Sequence, residues 1–191
     1  MGYYTQEELT KIGFKSIGKN VKISDKASIY NPEKITIADD SRIDDFCVIS
    51  GKISIGCNVH ITPNCLVAGG VEGIVFHDFT TLAYGVKIFT QSDDYSGETM
   101  TNSTVPTLYK KEYKESVEVG KHTIIGAGSI IMPGVKLAKG TSIGALSLVL
   151  HNTLPWSIYV GSPAKKIKNR KQDLLELETQ YLKTKRKNDS I

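Results

Sequence analysis

FTQSDDYSG, residues 89–97, sets two carboxylates side by side, Asp93 and Asp94. A third, Glu118, stands where the chain re-enters a regular pattern at Val119. Carboxylates gathered in this way can hold an ammonium group and accept a proton from it. Burial and mutual repulsion would raise one of them toward a useful pKa. Asp94 is the chief candidate for that base, with Glu118 assisting and Asp93 beside them. The same residues could instead cap an Asp-Tyr-Ser-Gly turn and decorate an exposed corner. The loop holds no histidine, so a hydroxyl nucleophile, which depends strongly on a base with a pKa near 7, is poorly served. A neutral amine already has a free lone pair and needs mainly positioning and proton removal.

Other residues offer chemistry at a distance from this loop. Arg42, Asp44 and Asp45 in RIDDF form a salt-bridged corner or contact a charged substrate. The four histidines, His60, His77, His122 and His151, fall at four different phases of the repeat described next, which argues against a shared metal. They read as surface or corner residues, with His77 near enough to the loop to contact substrate. Three cysteines without paired spacing exclude a zinc ribbon or a disulfide framework. Free thiols in a reducing compartment fit best. Cys57 lacks an adjacent base, so no covalent enzyme intermediate is expected.

A period of six positions these groups. From Val119 the chain reads VGKHTI, IGAGSI, IMPGVK, LAKGTS, IGALSL, VLHNTL. The first place is aliphatic and the fifth small or β-branched. The template also fits from Ile17 to Ile29, from Ile37 to Val67, and from Phe76 to Ile88. Such a repeat is the signature of a parallel β-helix, in which three sixes close one triangular coil. The eighteen sixes predict about six coils, with the aliphatics stacked inward. Cys47 and Cys65, both in fifth place, should stack inside adjacent coils, and Cys57 should lie on a surface corner. The chain leaves the pattern between about 94 and 112, a length that in a compact solenoid signals function. Thr5 to Glu8 forms a capping box for a short helix. Residues from about Lys165 to Lys185 read as an amphipathic helix covering the other end. The expected organisation is one domain over 1–191: an N-terminal cap (1–16), the β-helix with its excursion (17–160), and a tail with helix (161–191).

Bulk properties agree with a globular chain. It has 191 residues and a net charge of +4, and 40% of residues are hydrophobic. No stretch has the apolar length of a membrane span, and MGYYTQEELTK lacks an apolar signal region, so a cytoplasmic location is expected. Basic residues crowd the end: Lys165, Lys166, Lys168, Arg170 and Lys171, then Lys183, Lys185, Arg186 and Lys187. This is either a solvated tail or a contact for phosphates. No nucleic-acid recognition motif accompanies it.

The run IGAGS…PGV…IGALS, with Gly161-Ser162-Pro163-Ala164-Lys165 behind it, resembles the hexapeptide-repeat acyltransferases. The front half, YTQEELTKIGFKSIGKNVKIS, RIDDFCVISG and SDDYSGETMTNSTVP, is similar to one branch, the N-acyltransferases of dTDP-linked 4-amino-4,6-dideoxyglucose. The resemblance implies an all-β, left-handed parallel β-helix and a homotrimer without metal. It implies acetyl-CoA or a longer acyl-CoA as co-substrate and a dTDP-amino sugar as acceptor. Ala127 and Ala145 would then lie against the pantetheine arm, with Ser162, Lys165 and Lys166 near the nucleotide end. Arg42, Asp44, His77 and Tyr84 would contact the sugar nucleotide. The amine would attack the thioester directly. Sugar O-acetylation and a non-catalytic trimeric scaffold are the alternatives.

Overall fold

A computed structural model describes residues 2–188. The last three positions of the predicted tail lie outside the described residues, as does the side chain of Lys187. The chain winds into a triangular prism of short parallel strands. The first face stacks Ser16–Ile17, Ile35–Ile37, Ile53–Ile55, Ile74–Phe76, Val117–Val119 and Lys136–Leu137. The second stacks Lys22–Ile23, Arg42–Ile43, His60–Ile61, Thr81–Leu82, Ile124–Ile125, Ser142–Ile143 and Ser157–Val160. The third runs from Ser28–Tyr30 through Val48–Ser50, Leu66–Ala68, Lys87–Phe89 and Ile130–Ile131 to Leu148–Val149.

The inward columns are those the repeat places there. Ile23, Ile43, Ile49, Ile61, Val67, Leu82, Ile88, Val119, Ile125 and Ile131 are all essentially excluded from water. Removing such side chains from solvent contributes about 1.5–3 kcal/mol each, which is how a chain of two- and three-residue strands holds together. Cys47 and Cys65 are buried as expected, and Cys57 is partly exposed. Contact with Cys65, together with burial, pushes the Cys47 thiol up, away from the reactive thiolate form.

One end matches expectation and the other does not. The helix α1 (Gln6–Ile12) has the capping box: Glu8 N donates to Thr5 Oγ1 at 3.3 Å and Thr5 N to Glu8 Oε2 at 2.7 Å. At the other end the prism has about seven turns, not six, because Ser157–Val160 extends the second face beyond the last recognisable repeat. The repeat is masked there by Pro155 and by Trp156, which sits at φ +50°. The predicted helix from Lys165 is also corrected. Lys165–Asn169 is a strand, antiparallel to Ser157–Val160, and α2 begins at Leu174 and ends at Asn188. Its lysine-rich composition suits a solvent-facing edge strand, which pairs the open edge of the prism and resists further pairing.

The excursion leaves through a hairpin stem, Gln91–Ser92 against Tyr113–Lys114, so its base is anchored on the prism. The return is tied by Glu115 N donating to Thr90 O at 3.0 Å. Among the described residues no helix is long and apolar enough to cross a membrane.

Candidate active site

Glu118 points outward from the first face, in register with Ser54, Val75 and Lys136. Its Oε1 lies 2.9 Å from His77 Nε2, and its Oε2 lies 3.8 Å from Lys136 Nζ. Both His77 and Glu118 are half-exposed. They line a groove of about 650 Å³ that runs down the first face past Val75, Ile74, Gly73 and Ser54 to Lys52, Lys34 and Lys15. A carboxylate paired with an imidazole can accept a proton and share it. Two register facts bring the pair together: Val75 opposes Glu118, and His77 follows two places later.

Asp94 stands in a different setting. Its Oδ1 accepts from Ser96 N at 2.8 Å and Ser96 Oγ at 2.7 Å, and its Oδ2 accepts from Thr99 N at 3.0 Å and Thr99 Oγ1 at 2.9 Å. Four donors occupy the carboxylate's four lone-pair directions. The Ser96 and Thr99 donors hold its carboxyl down to about 2. The expectation of a raised pKa at Asp94 is therefore corrected, because hydrogen bonds to the charged form outweigh burial. Asp94 organises the turn. Asp93 instead lines a groove of about 560 Å³ on the third face, with Gln91, Ser92, Tyr95, Ile130, Met132 and Leu148. The side chains of Asp94 and Glu118 have different partners, Ser96 and Thr99 for the first and His77 for the second, while Asp93 lines the third-face groove and Glu118 the first-face groove.

Tyr84, Ala127 and Ala145 form one column at the corner between the second and third faces, two residues beyond the registered Leu82, Ile125 and Ile143. The corners stack tightly. A Cβ on Gly126 would meet Ala145 N at 2.4 Å, so only glycine lets the two backbones approach this closely. Leu146 N donates to Ala127 O at 2.8 Å, and Gly128 N to Tyr84 O at 2.8 Å. Ser162 sits in a segment seated on the end of the third face, where Leu148 N donates to Gly161 O at 3.0 Å and Ala164 N to Leu148 O at 2.8 Å. Lys165 and Lys166 follow, both exposed, in the antiparallel edge strand. The predicted cofactor residues thus share one end of the prism.

Arg42 and Asp44 are held together with His60 and Tyr3. Asp44 is 2% exposed. It accepts from Arg42 Nε at 2.6 Å and Tyr3 OH at 3.1 Å, and its Oδ2 lies 2.9 Å from His60 Nε2. Burial pushes its carboxyl up, but the hydrogen bonds from Arg42 and His60 prevail and keep it below the usual range. Asp44 therefore orients Arg42 and His60 and has no open face of its own. His122 is not a surface residue: α2 covers it, Glu178 Oε2 lies 2.9 Å from its Nε2, and Phe79 stacks on it at 5.3 Å. Among the described residues no group of three or more His, Cys, Asp or Glu side chains could hold a metal ion.

No protein-family model matches the chain. A dTDP-4-amino-4,6-dideoxy-D-glucose acyltransferase of Escherichia coli is 42% identical over 184 residues, covering 95% of each chain. The chain belongs to this acyltransferase family. AntD, an N-acyltransferase from Bacillus cereus solved in complex with dTDP and 3-hydroxybutyryl-CoA, superposes with a TM-score of 0.95 at 46% identity, over 96% of this chain and 98% of that one. A variant of AntD in complex with dTDP-4-amino-4,6-dideoxyglucose and coenzyme A gives a TM-score of 0.95 at 47% identity, over 96% and 98%. Three pairings arise from the fold: Glu118 with His77, Asp44 with His60, and Glu178 with His122. The register of Arg42 with His60 brings Asp44, two places on, to His60, and Glu178 reaches His122 only where α2 docks.

Proposed function

We propose that the chain transfers an acyl group from acyl-coenzyme A to the amine of a dTDP-linked amino-deoxy sugar, within a cytoplasmic homotrimer. The observation that carries this reading is the His77–Glu118 pair, a proton acceptor facing an open groove in a chain of this family. The neutral amine attacks the thioester carbonyl. A C–N bond forms, the C–S bond breaks, and coenzyme A leaves as its thiol. Glu118, linked to His77, takes the proton that the nitrogen sheds, and that proton is returned to the departing sulfur. Asp94 shapes the loop, and Asp93 faces the third-face groove. The Tyr84–Ala127–Ala145 corner suits a pantetheine arm, with Lys165 and Lys166 placed for phosphates. Direct attack fits the buried state of Cys47 and Cys65.

Two features support assembly. The outward side chains of the third face include Val48, Leu66, Phe89, Ile130, Met132 and Leu148, an apolar surface on a prism whose other faces are largely polar. The two grooves that hold the candidate carboxylates also lie on different faces, so a neighbour closes the site. Closed threefold symmetry then yields three equivalent sites. Thermal shift with coenzyme A and with dTDP tests the reading. Both should raise the melting temperature, whereas a scaffold would respond to neither.

A further inference from the structure

Between α2 and the second face lies a hollow of about 350 Å³ that acyl transfer does not use. Phe79 and Ile124 line it from the prism, and Leu174, Leu177 and Tyr181 from α2. An amphipathic helix ordinarily buries its apolar side chains against its neighbour. Here Leu177 is 64% exposed and Tyr181 42% exposed, so apolar surface around one hollow stays in water.

The charge of the hollow is also unbalanced. Glu178 and Arg170 both line it. The Glu178 carboxylate is spent, its Oε2 lying 2.9 Å from His122 Nε2 and its Oε1 2.5 Å from Lys121 Nζ. Arg170 has no carboxylate: among the described residues no ion pair includes it. Its Nη1 donates to His122 O at 2.6 Å and lies 3.2 Å from Gly140 O and 3.4 Å from Thr141 O, which pins the guanidinium to the stacked corners. Its Nε and Nη2 have no hydrogen-bond partner among the described residues, and neither is sealed from water. Burial pushes this guanidinium below its usual range, with no acid offsetting it.

The two observations select a ligand class. The edge of Arg170 left unpaired, Nε with Nη2, is one that grips a carboxylate through two parallel hydrogen bonds. One fixed cation without a counter-ion calls for a monoanion, and apolar walls call for a hydrocarbon body. A phosphate monoester would bring nearly two charges to the same single guanidinium.

We propose that this hollow binds a small monocarboxylate with an aromatic or aliphatic body, its carboxylate on the Nε–Nη2 edge of Arg170 and its body against Ile124, Leu177 and Tyr181. Such a ligand touches the prism and α2 at once, so occupancy stabilises the docked helix. The site is separate from the His77–Glu118 groove and does not depend on the reaction proposed for it.

The test titrates the full-length protein calorimetrically with benzoate and with hexanoate, using benzyl alcohol and inorganic phosphate as controls, and follows amide exchange along α2. Both carboxylates should bind saturably and slow exchange in α2, and both controls should bind at least tenfold more weakly. Leu177→Glu puts a like charge into the hollow at an exposed position. It should leave the melting temperature and kcat unchanged and weaken benzoate at least tenfold. Arg170→Lys keeps the charge but loses the fork, and should weaken benzoate by about tenfold. If Arg170→Lys lowers the melting temperature, Leu177→Glu decides alone. Absence of binding by both carboxylates overturns the site, as does benzoate binding of wild-type strength in Leu177→Glu. Phosphate binding as tight as benzoate overturns the ligand class.

Discussion

At the residue scale, the carboxylates divide their labour by hydrogen bonding. Glu118 is open to solvent on one side and to His77 on the other, while Asp94 is saturated by Ser96 and Thr99. Replacing Glu118 with Gln removes the proton acceptor but keeps the shape. We expect kcat to fall by roughly 10²-fold or more, with KM for acyl-CoA nearly unchanged. Turnover unaffected by Glu118→Gln would remove it from the chemistry. Asp94→Asn replaces an acceptor oxygen with a donor that faces the Ser96 or Thr99 donors. It should loosen the loop and lower kcat/KM while leaving the shape of the pH–rate profile as it was. Loss of the acid limb of that profile in Asp94→Asn would make Asp94 the titrating base. Because the folded pKa of Asp94 lies near 2, below its usual 3.8, its contribution to stability is fully present above about pH 4. That contribution drains away as pH falls from there through 2. Acid unfolding of Asp94→Asn should accordingly begin less steeply across that range.

At the element scale, the prism was legible and its attachments were not. The six-residue period is a local pattern, repeated often enough that Ile61, Val67 and Leu82 could each be placed inward before any contact was known. Paired strands follow from it because each coil must hydrogen-bond to the next. The tail carries no such repetition. Lys165–Asn169 mixes lysine with a single isoleucine, and its strand character comes from the free edge of Ser157–Val160, a tertiary fact. The site was half visible for the same reason. Glu118 and His77 were singled out separately, but their 2.9 Å pairing needs the rung register across the excursion. The lowered pKa of Asp94 was not legible because the Ser96 and Thr99 donors reach its carboxylate only in the folded loop.

The docking of α2 also has a pH signature. Burial pushes the His122 imidazole below its usual range, against the opposing pull of Glu178, with Lys121 and Lys139 nearby. Arg170 Nη1 donates to the His122 carbonyl at 2.6 Å, and Phe79 and Trp156 flank the ring. A histidine with a depressed folded pKa contributes stability that is present above about pH 6.5 and lost as pH falls through the folded value. Amide exchange along α2 should therefore quicken between pH 7 and 5.5, and His122→Gln should flatten that dependence. Equal protection of α2 at both pH values would show that its docking does not depend on His122.

At the scale of the whole molecule, a prism with one apolar outer face and its candidate carboxylates on separate faces is an incomplete machine. Light scattering should return three times the 21.0 kDa chain mass. Met132→Glu, which puts a charge into the third-face groove, should shift the protein to smaller species and abolish turnover together. A fully active monomer would contradict the shared site. The measurement that bears most directly on the account is the product itself. Purified protein is incubated with acetyl-CoA or 3-hydroxybutyryl-CoA and dTDP-4-amino-4,6-dideoxyglucose, and the product is examined by mass spectrometry and NMR. The account predicts a dTDP-sugar carrying one acyl group in amide linkage at nitrogen, formed with one equivalent of free coenzyme A, and formed roughly 10²-fold more slowly by Glu118→Gln. An ester on a sugar hydroxyl, or no acyl transfer from any acyl-CoA, would contradict it.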